Sequence, residues 1–550
     1  MKVMNRFLLL AISIIIIQST ANAQSREIQR PKLVVGIVID QMRYDYLYKY
    51  YSKYSEDGFK KLMNQGFNCR STNFNYAPTY TGPGHASIYT GTTPSQHGII
   101  SNDWYVRKTG KSMYVTDDNA VSTVGSPNAA VGKMSPVNML ATTVTDELRL
   151  SSNKASKVIG IALKDRAAIL PGGHLANGAY WFDSETGNFV TSTFYMQNLP
   201  GWMKKFNDGH LAKKYVSQSW NTLLPVNQYT ESAPDDNPYE GLFPEETKPV
   251  FPHEIKKIWK PNDFEIIRYT PFGNTLTKDA AIAAMEGEKL GKGASTDFIT
   301  ISFSSTDYVG HMFGPQSVEL EDTYIRLDRD LGDLITYLEK SYGKDGFLLF
   351  LTADHGVAYV PEQLKDDKIP AGYFNNGVMI DSLKDYLNTI YGNGNWLSSY
   401  INQQIYLNRD LIAQKNISLK EVQQKVAAYL LHFEGVANTY TAYQLSATTF
   451  NHRPEAFLQN GFNMQRSGDV TVLLEPAWFE SHGGTTGTTH GTPYSYDTQV
   501  PLLWYGWHIA QGSSARPVSI TDIAPTVSDL LNISQPNAAT GKAITDMLTK

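Results

Sequence analysis

The sequence predicts an α/β fold with a mostly parallel central sheet and helices on both of its faces. Short, β-rich apolar runs recur along the 550 residues, at 33–39, 297–303, 346–352, 470–475 and 500–505. These runs lack polar alternation, which is typical of strands buried on both faces of a parallel sheet. Helical patterns at 277–291 and 317–343 lie between the first three runs. Strands that alternate with helices indicate an α/β core.

Two regions interrupt this alternation. Residues from about 174 to 275 are rich in Trp, Tyr, Asn and Pro, and residues from about 360 to 460 are polar and aromatic. Long connections of this kind in a compact domain are often functional. We therefore predict a single domain over residues 24–550, in which these two insertions form large cap segments that overhang a site.

The first 23 residues have the pattern of a secretory signal peptide. Lys2 and Arg6 precede an apolar run at 7–17, and Ala-Asn-Ala at 21–23 provides a cleavage site. The apolar run is short for a membrane span, although an uncleaved N-terminal anchor is the alternative. No later segment approaches the roughly 18 consecutive apolar residues of a span. The mature chain is therefore expected to be soluble, without membrane attachment, and periplasmic or secreted.

Composition and charge argue against an intrachain disulfide and against a nucleic-acid partner. Cys69 is the single cysteine, so the chain has no intrachain disulfide. The formal net charge is −5 and no run of Lys or Arg occurs, so nucleic acid is not an expected partner. A chain of this length buries enough apolar surface to fold without disulfides. We expect a monomer.

Acidic and histidine side chains follow the predicted strands, where ligands of open α/β sheets bind. After the first, second and third runs the sequence places Asp40, Asp307 with His311, and Asp354 with His355. The late glycine-rich loop SHGGTTGTTHGTP adds His482 and His490. Taken singly, such an Asp is more often a cap and such a His a structural residue. Together they offer the oxygen and nitrogen donors that suit divalent metals such as zinc.

A threonine stands where a crowded turn becomes a helix. In the segment TYTGPGHAS, Gly82 and Gly84 allow the backbone to approach a bound group closely. The helix that follows favours an anion at its first N–H groups. A threonine hydroxyl is a poor nucleophile unless a base or a metal activates it. Spacing favours Thr81 over Thr79, because Thr81 directly precedes the glycine turn; a capping threonine is the alternative.

Three further polar residues suit an anionic substrate. Asn102 has an amide that donates to an anionic oxygen. Lys164 and Arg166 follow another apolar run, and on an extended segment residues two apart face the same side. They would then clamp phosphoryl oxygens together, with the forked donors of Arg. A solvated charged turn is the alternative interpretation.

Six segments of the chain form a set of motifs in a fixed order. They are VVGIVIDQMRYDYL, NYAPTYTGPGHASIYTGTTPSQHGIISNDWY, ALKDRAAILPGGHLANGAYWFD, STDYVGH, LTADHG and GTTHGTP. In this order they closely resemble the PafA-type periplasmic alkaline phosphatases. This family belongs to the alkaline phosphatase superfamily, with nucleotide pyrophosphatase/phosphodiesterases, phosphoglycerate mutases and sulfatases. The motifs span most of the mature chain and are highly specific as a set.

The resemblance implies a site with two zinc ions. By motif, one ion would be held by Asp307, His311 and His490. The other would be held by Asp40, Thr81, Asp354 and His355. Thr81 matches the nucleophile of the family, which selects it over Thr79. The residues that match contacts to the transferred phosphoryl group are Asn102, Lys164 and Arg166. Three histidines match no family role and are expected to be structural or supporting: His85, His97 and His482.

The activity implied by the resemblance is hydrolysis of phosphate monoesters through a covalent phospho-threonine. The K-D-R spacing motivates the monoester preference, because two cations can share the oxygens of a monoester dianion. A phosphodiesterase of the nucleotide pyrophosphatase type is the first alternative. A sulfatase is disfavoured, because such enzymes oxidise a Cys or Ser, and Thr81 does not yield that aldehyde. An inactive relative that binds metal or a phosphorylated ligand is the other alternative.

Overall fold

The structure, a computed structural model, describes residues 30–480 and 484–548. The predicted signal peptide at 1–23 lies outside the described residues, as does His482. From Lys32 onward the described chain forms one compact unit. Within these described ranges, no helix is both long enough and apolar enough to span a bilayer. Cys69 is buried and free.

A ten-stranded sheet forms the centre of this unit. In chain order its strands are β1 (Leu33–Ile39), β2 (Phe67–Cys69), β3 (Thr123–Val124), β4 (Val158–Ala162), β5 (Gly178–Asp183), β6 (Asn188–Ser192), β7 (Asp297–Phe303), β8 (Phe347–Thr352), β9 (Leu502–Gly506) and β10 (Gly512–Ser514). Across the sheet the order is β10-β2-β9-β8-β1-β7-β4-β5-β6-β3. The five adjacent strands from β8 to β5 are parallel. The predicted α/β class with its central parallel sheet is confirmed.

Both faces of the central strands are covered. All seven residues of β1 and all seven of β7 are buried, and alternate residues of a strand point to opposite faces. Five helices matter for the site: α1 (Thr81–Thr90), α2 (Asp165–Gly172), α3 (Phe272–Gly287), α4 (Ser305–Phe313) and α5 (Val318–Tyr342). The helices predicted at 277–291 and 317–343 therefore exist as α3 and α5. The helix α3 begins and ends earlier than predicted.

The other α-helices are shorter on average and include the helices of the second predicted insertion. They are Tyr46–Lys49, Phe59–Gln65, Pro94–His97, Val144–Ser151, Gly201–Asp208, Leu211–Val216, Ile255–Ile258, Pro361–Asp366, Asn376–Tyr391, Arg409–Gln414, Leu419–Leu430, Ala442–Ala447, Glu455–Gly461, Ser495–Thr498 and Ile523–Leu531. Short strands outside the two main sheets are Thr72–Asn73, Asp103–Val106, Lys111–Tyr114, Gly372–Phe374, Trp478–Glu480, Gln499–Val500 and Val518–Ser519.

Two of the five predicted core strands differ from expectation. Val470–Leu474 lies in a separate four-stranded sheet, with Leu397–Ile401, Gln404–Leu407 and Val436–Thr441. The run at 500–505 is split, because Pro501 has no N–H to donate; the part after it is β9, antiparallel to β8. An apolar run shows that a strand is buried, but it does not show which sheet or which direction the strand takes.

The two predicted insertions differ in structure. Residues 178–192 contribute β5 and β6 to the large sheet, and helices and irregular backbone follow up to α3. Most of the second region packs around the four-stranded sheet with an apolar cluster of its own, which includes Trp396, Val426 and Leu430. The division into one domain with two inserted cap segments stays a prediction.

Candidate active site

The carboxyl ends of β1, β7 and β8 bring the predicted acidic and histidine residues together. Asp40 directly follows β1, Asp354 lies two residues beyond β8, and Asp307 lies in the first turn of α4, after β7. Because these three strands are parallel neighbours, their ends meet at one edge of the sheet. Two groups at this edge have ligand atoms close enough to hold a metal ion: Asp307, His311 and His490, and Asp40, His85 and Asp354.

The first group, which we call the outer cluster, consists of Asp307, His311 and His490. Nε2 of His311 is 3.2 Å and Nε2 of His490 is 3.7 Å from Oδ1 of Asp307. Each histidine donates from Nδ1 to a backbone carbonyl at 2.7 Å, His311 to Thr488 and His490 to Thr79. A ring that donates from Nδ1 presents the lone pair of Nε2, which is the usual arrangement of a metal-binding histidine.

The second group, the inner cluster, contains Asp40 and Asp354, both without solvent exposure. The resemblance assigned His355 to this group. Nε2 of His355 is 3.3 Å from Oδ2 of Asp354, and Nδ1 of His355 donates to the carbonyl of Gly356 at 2.9 Å. The ring of His355 is stacked on that of His490, with centroids 3.4 Å apart and planes 13° from parallel. The two clusters therefore share a wall made of two imidazole rings.

His85 also lies at the inner cluster, although the resemblance gave this histidine no family role. Its Nδ1 donates to the carbonyl of Thr81 at 3.0 Å, and its Nε2 is 3.0 Å from the hydroxyl of Ser302. That hydroxyl donates to Asp40 at 2.7 Å. Both ring nitrogens are thus engaged, which favours a role in holding Asp40 and Thr81 over a role as a ligand.

Metal ions fit the donor set of the two clusters. Oδ2 of Asp354 and Nε2 of His355 are buried and have no hydrogen-bond partner among the described residues. Burial, followed by the neighbouring Asp354, raises the pKa of Asp40. Burial, followed by the nearby His355 and His311, holds the pKa of His490 well below its ordinary value, so its ring is neutral. Neutral imidazoles and crowded carboxylates with unused lone pairs are the groups that zinc binds.

The position of Thr81 depends on glycines. Thr81 is the first residue of α1 and is 1% exposed. A Cβ atom at Gly84 would lie only 2.4 Å from the carbonyl oxygen of Asp354, so the helix reaches the inner cluster because a glycine stands there. Thr79 is fully buried, and its hydroxyl donates to the carbonyl of Thr492 at 3.0 Å. The hydroxyl of Thr79 is therefore used within the fold.

Asn102 is oriented by the same helix. The N–H of Gly82 donates to Oδ1 of Asn102 at 2.8 Å. Because this oxygen accepts from α1, the amide group of Asn102 that remains for a ligand is its NH₂, a donor. An anion at the start of α1 would meet this donor together with the helix N-terminus.

Lys164 and Arg166 reach the site differently from the prediction. The expected extended segment is wrong, because α2 begins at Asp165, and Arg166 lies in its first turn while Lys164 caps it. Nζ of Lys164 is 2.5 Å from Oδ2 of Asp307 and 3.0 Å from Oδ2 of Asp40. This ammonium therefore joins the two clusters. Burial alone would raise the pKa of Asp307, but Lys164 and His311 hold it well below its ordinary value.

Arg166 is held by a tyrosine. Its Nη1 donates to the hydroxyl of Tyr114 at 2.8 Å, and that hydroxyl donates to Asp165 at 2.9 Å. The guanidinium is half-buried, and its Nε has no hydrogen-bond partner among the described residues. Arg166 thus has a donor left for a bound anion.

Gln41 is a residue that sequence reasoning missed. Its backbone N–H donates to Asp354 at 3.0 Å, and its side-chain amide donates to Asp307 at 2.8 Å. Its φ of 64° lies in the left-handed region, which a non-glycine residue rarely adopts. A Cβ atom at Gly310 would lie 2.0 Å from Oε1 of Gln41, so a glycine makes room for this side chain. Only its place directly after Asp40 could have drawn attention to it.

His97 lies away from both clusters. Its Nε2 is 2.9 Å from the hydroxyl of Ser87, and its Nδ1 accepts from the N–H of Ile99 at 3.1 Å. Burial lowers the pKa of His97 to about 3, so the ring is neutral. Its contacts are structural, whereas His482 lies outside the described residues.

The chain is similar to known proteins over most of its length. The family model for type I phosphodiesterase / nucleotide pyrophosphatase matches residues 34–495. Alkaline phosphatase PafA of Elizabethkingia meningoseptica is 43% identical over 98% of this chain and 98% of its own length. Alkaline phosphatase PhoV of Synechococcus elongatus is 45% identical, with coverages of 98% and 99%. A Myroides odoratus protein named calcium-transporting ATPase is 44% identical, with coverages of 96% and 97%.

The similarity extends to the three-dimensional structure. The crystal structure of wild-type PafA superimposes with a TM-score of 0.92 and 44% identity, and the match covers 95% of this chain and 100% of that chain. The chain therefore belongs to the type I phosphodiesterase / nucleotide pyrophosphatase family, in which its full-length relatives include the alkaline phosphatases PafA and PhoV.

Proposed function

We propose that this protein is a two-zinc alkaline phosphatase that hydrolyses phosphate monoesters through a phospho-threonine at Thr81. One observation carries the proposal: α1 presents Thr81 at the edge where the carboxyl ends of β1, β7 and β8 gather two carboxylate–histidine clusters. Full-length relatives at 43% and 45% identity that are named alkaline phosphatases support the same activity.

A solved variant of PafA supports the choice of residues. That variant carries substitutions at a threonine, an asparagine, a lysine and an arginine, spaced 21, 62 and 2 residues apart. The same four residue types occur here at the same spacing, as Thr81, Asn102, Lys164 and Arg166. We assign to these positions the nucleophile and the three groups that contact the phosphoryl oxygens.

The clusters provide the ligands for the metal. We assign one zinc ion to Asp307, His311 and His490, and the other to Asp40, Asp354, His355 and Thr81. Two such ions would stabilise negative charge on the attacking and leaving oxygens of an in-line displacement. His85 supports Asp40 and Thr81 in this assignment through its two hydrogen bonds.

The chain's own residues then position the phosphate. The hydroxyl of Thr81 releases its proton to solvent as its oxygen bonds to phosphorus and the bond from phosphorus to the leaving oxygen breaks; the leaving oxygen takes up a proton from solvent, and the phospho-threonine remains. The NH₂ of Asn102 and the cations of Lys164 and Arg166 hold the three non-bridging oxygens, over which negative charge is spread in the transition state. Water then cleaves the phosphorus–threonine bond, releases phosphate and restores Thr81.

The decisive experiment compares the parent enzyme with Thr81→Ala. With zinc bound in both, the parent should release phosphate from p-nitrophenyl phosphate, and the variant should be slower by at least about 10³-fold. Elemental analysis should find two zinc ions per chain in the parent. If a parent loaded with two zinc ions hydrolyses no phosphate ester, the chain is an inactive relative and the proposal fails.

The preference for monoesters rests on the two cations near the site. A monoester dianion has an oxygen for each of Lys164 and Arg166, whereas a diester has a second organic group in that place. The expected outcome is a higher kcat/KM for p-nitrophenyl phosphate than for bis-p-nitrophenyl phosphate. An equal or higher kcat/KM for the diester would favour the phosphodiesterase suggested by the name of the family model.

We also infer export of the chain. The support is the charged, apolar and small-residue pattern of residues 1–23. The mature protein would then begin near residue 24, in the periplasm or outside the cell. Sequencing of the N-terminus of the protein recovered from its host tests the cleavage site.

A further inference from the structure

Glu240 lies directly behind the two segments that carry the histidines of the outer cluster. The carbonyl of the preceding residue, Tyr239, accepts from the N–H of Gly487 at 3.0 Å, in the loop that leads to His490. The N–H of the following residue, Gly241, donates to the carbonyl of Met312 at 2.8 Å, next to His311. The main chain around Glu240 therefore ties the first inserted region to both of these segments.

The side chain of Glu240 is buried without a partner. It is 4% exposed, and neither carboxylate oxygen has a hydrogen bond among the described residues. The Asn237 side chain lies nearby and lowers the pKa of Glu240 slightly, but burial and the neighbouring Glu319 raise it to about 11. Buried carboxylates are normally hydrogen-bonded, paired with a cation or bound to a metal.

Glu319, in the first turn of α5, lies near enough to Glu240 for its charge to raise the pKa of that carboxyl. It is fully buried; Oε1 accepts from Nε2 of His253 at 3.0 Å, and Oε2 has no partner among the described residues. Nδ1 of His253 is 2.9 Å from Oε1 of Glu246. With a carboxylate at each nitrogen, His253 is an imidazolium. We call Glu240, Glu246, His253 and Glu319 the glutamate cluster.

Charge and donor count distinguish a metal ion from a proton here. With all three carboxylates ionised beside one imidazolium, the glutamate cluster would carry a net charge of −2, which one divalent cation would neutralise. A proton shared by Glu240 and Glu319 would occupy two of the three unpartnered oxygens and leave one carboxylate oxygen of Glu240 buried and unpaired. A cation of high coordination number takes all three. Only oxygen donors remain, because both nitrogens of His253 are engaged.

We propose that Glu240 and Glu319 bind a hard divalent cation, of which calcium fits best, at a site separate from the candidate active site. Calcium accepts several carboxylate and carbonyl oxygens in irregular geometry, whereas magnesium requires a strict octahedron and keeps its waters. Glu240 also contributes to the lining of a surface cavity, together with Asp236, Asn237, Thr486 and Lys248; the ammonium of Lys248 is paired with Asp236. The cation holds the inserted region against the segments of His311 and His490 and so supports the outer cluster from behind.

The test uses the full mature chain, loaded with zinc and freed of calcium by dialysis. After equilibration with free calcium on the order of 1 mM, elemental analysis should find about one calcium per chain in addition to the zinc. The melting temperature should rise by about 2–4 °C. The same concentration of magnesium should give a smaller rise.

Variants locate the ion. Glu240→Gln removes one charge at nearly constant volume, and it should abolish both calcium uptake and the rise in melting temperature while the zinc content is kept. The matched control is Glu245→Gln, which changes an exposed glutamate five residues after Glu240. This control variant should behave as the parent.

Two outcomes overturn the proposal. The first is the absence of bound calcium in the parent, which overturns the proposal even if Glu240→Gln fails to fold. That result would indicate a proton shared by Glu240 and Glu319. Calcium uptake that Glu240→Gln leaves unchanged places the ion elsewhere. Since the zinc content and the phosphatase assay are measured on the same samples, failure of the calcium site is distinguishable from failure of the proposed function.

Discussion

His490 and His253 are both buried among carboxylates, yet the two regions give them opposite roles. Nδ1 of His490 donates to a backbone carbonyl, Nε2 is directed towards Asp307, and the pKa lies well below its ordinary value. Both nitrogens of His253 meet carboxylate oxygens instead, and these raise its pKa to about 9 against the effect of burial. A carbonyl acceptor at one nitrogen leaves the lone pair of the other nitrogen available for a metal ion, whereas two carboxylates favour an imidazolium that serves as their counter-ion.

The largest expected effect comes from the same substitution at both histidines. His490→Gln removes a proposed zinc ligand, so it should lose zinc and lower kcat/KM by at least about 10³-fold. His253→Gln should keep both zinc ions and most of the activity, and should lower the melting temperature. Elemental analysis, kinetics and thermal unfolding measure these three quantities. Zinc loss in His253→Gln but not in His490→Gln would reverse the comparison.

Gln41 tests whether the carboxylates of the active site depend on their hydrogen-bond donors. Gln41→Met keeps the volume but removes the donor to Asp307, so we expect a loss in zinc affinity of about 10–100-fold. Competition with a chelator measures this affinity. Gln65→Met, at an exposed position, is the matched control. Equal zinc affinity in both variants would show that the bridge from Gln41 is dispensable.

The smallest expected effect is a pH dependence of stability from His253. Burial alone would lower its pKa, but Glu246 and Glu319 raise it from 6.5 to about 9 in the folded state. The stabilisation is therefore complete below about pH 6.5 and is lost as the pH rises through about 9. We expect the free energy of unfolding to fall by about 2 kcal/mol over this interval, relative to His253→Gln. Chemical denaturation of calcium-free protein between pH 6 and 10 measures it; parallel curves for the two proteins would contradict the ion pairs.

The sequence predicts which side chains meet at the candidate active site better than it predicts their arrangement. Asp40, Asp307 and Asp354 could be predicted from the sequence because each follows an apolar run, and because parallel strands align their carboxyl ends. His490, more than a hundred residues after β8, was marked only by a glycine-rich loop that also contains His482, and only the resemblance assigned it to Asp307. Roles of individual residues stay predictions until the variants are measured.

The errors have physical causes. The K-D-R segment was taken as extended, but helix α2 begins at Asp165, and Lys164 joins the clusters through contacts that no local pattern contains. The run at 470–475 is apolar because a second sheet buries it, and burial looks the same in either sheet. Gln41 and Glu240 were missed because a polar residue that acts through distant partners has no periodic signature.

The flat contact between His355 and His490 has a consequence for protein engineering. Since the rings lie 3.4 Å apart, neither can tilt without pushing the other. A designer who wishes to fit a metal of different radius at one of the two clusters cannot change the side chains of that cluster alone. The pair has to be repacked as a single unit, from the Thr79 carbonyl at one end to the Gly356 carbonyl at the other.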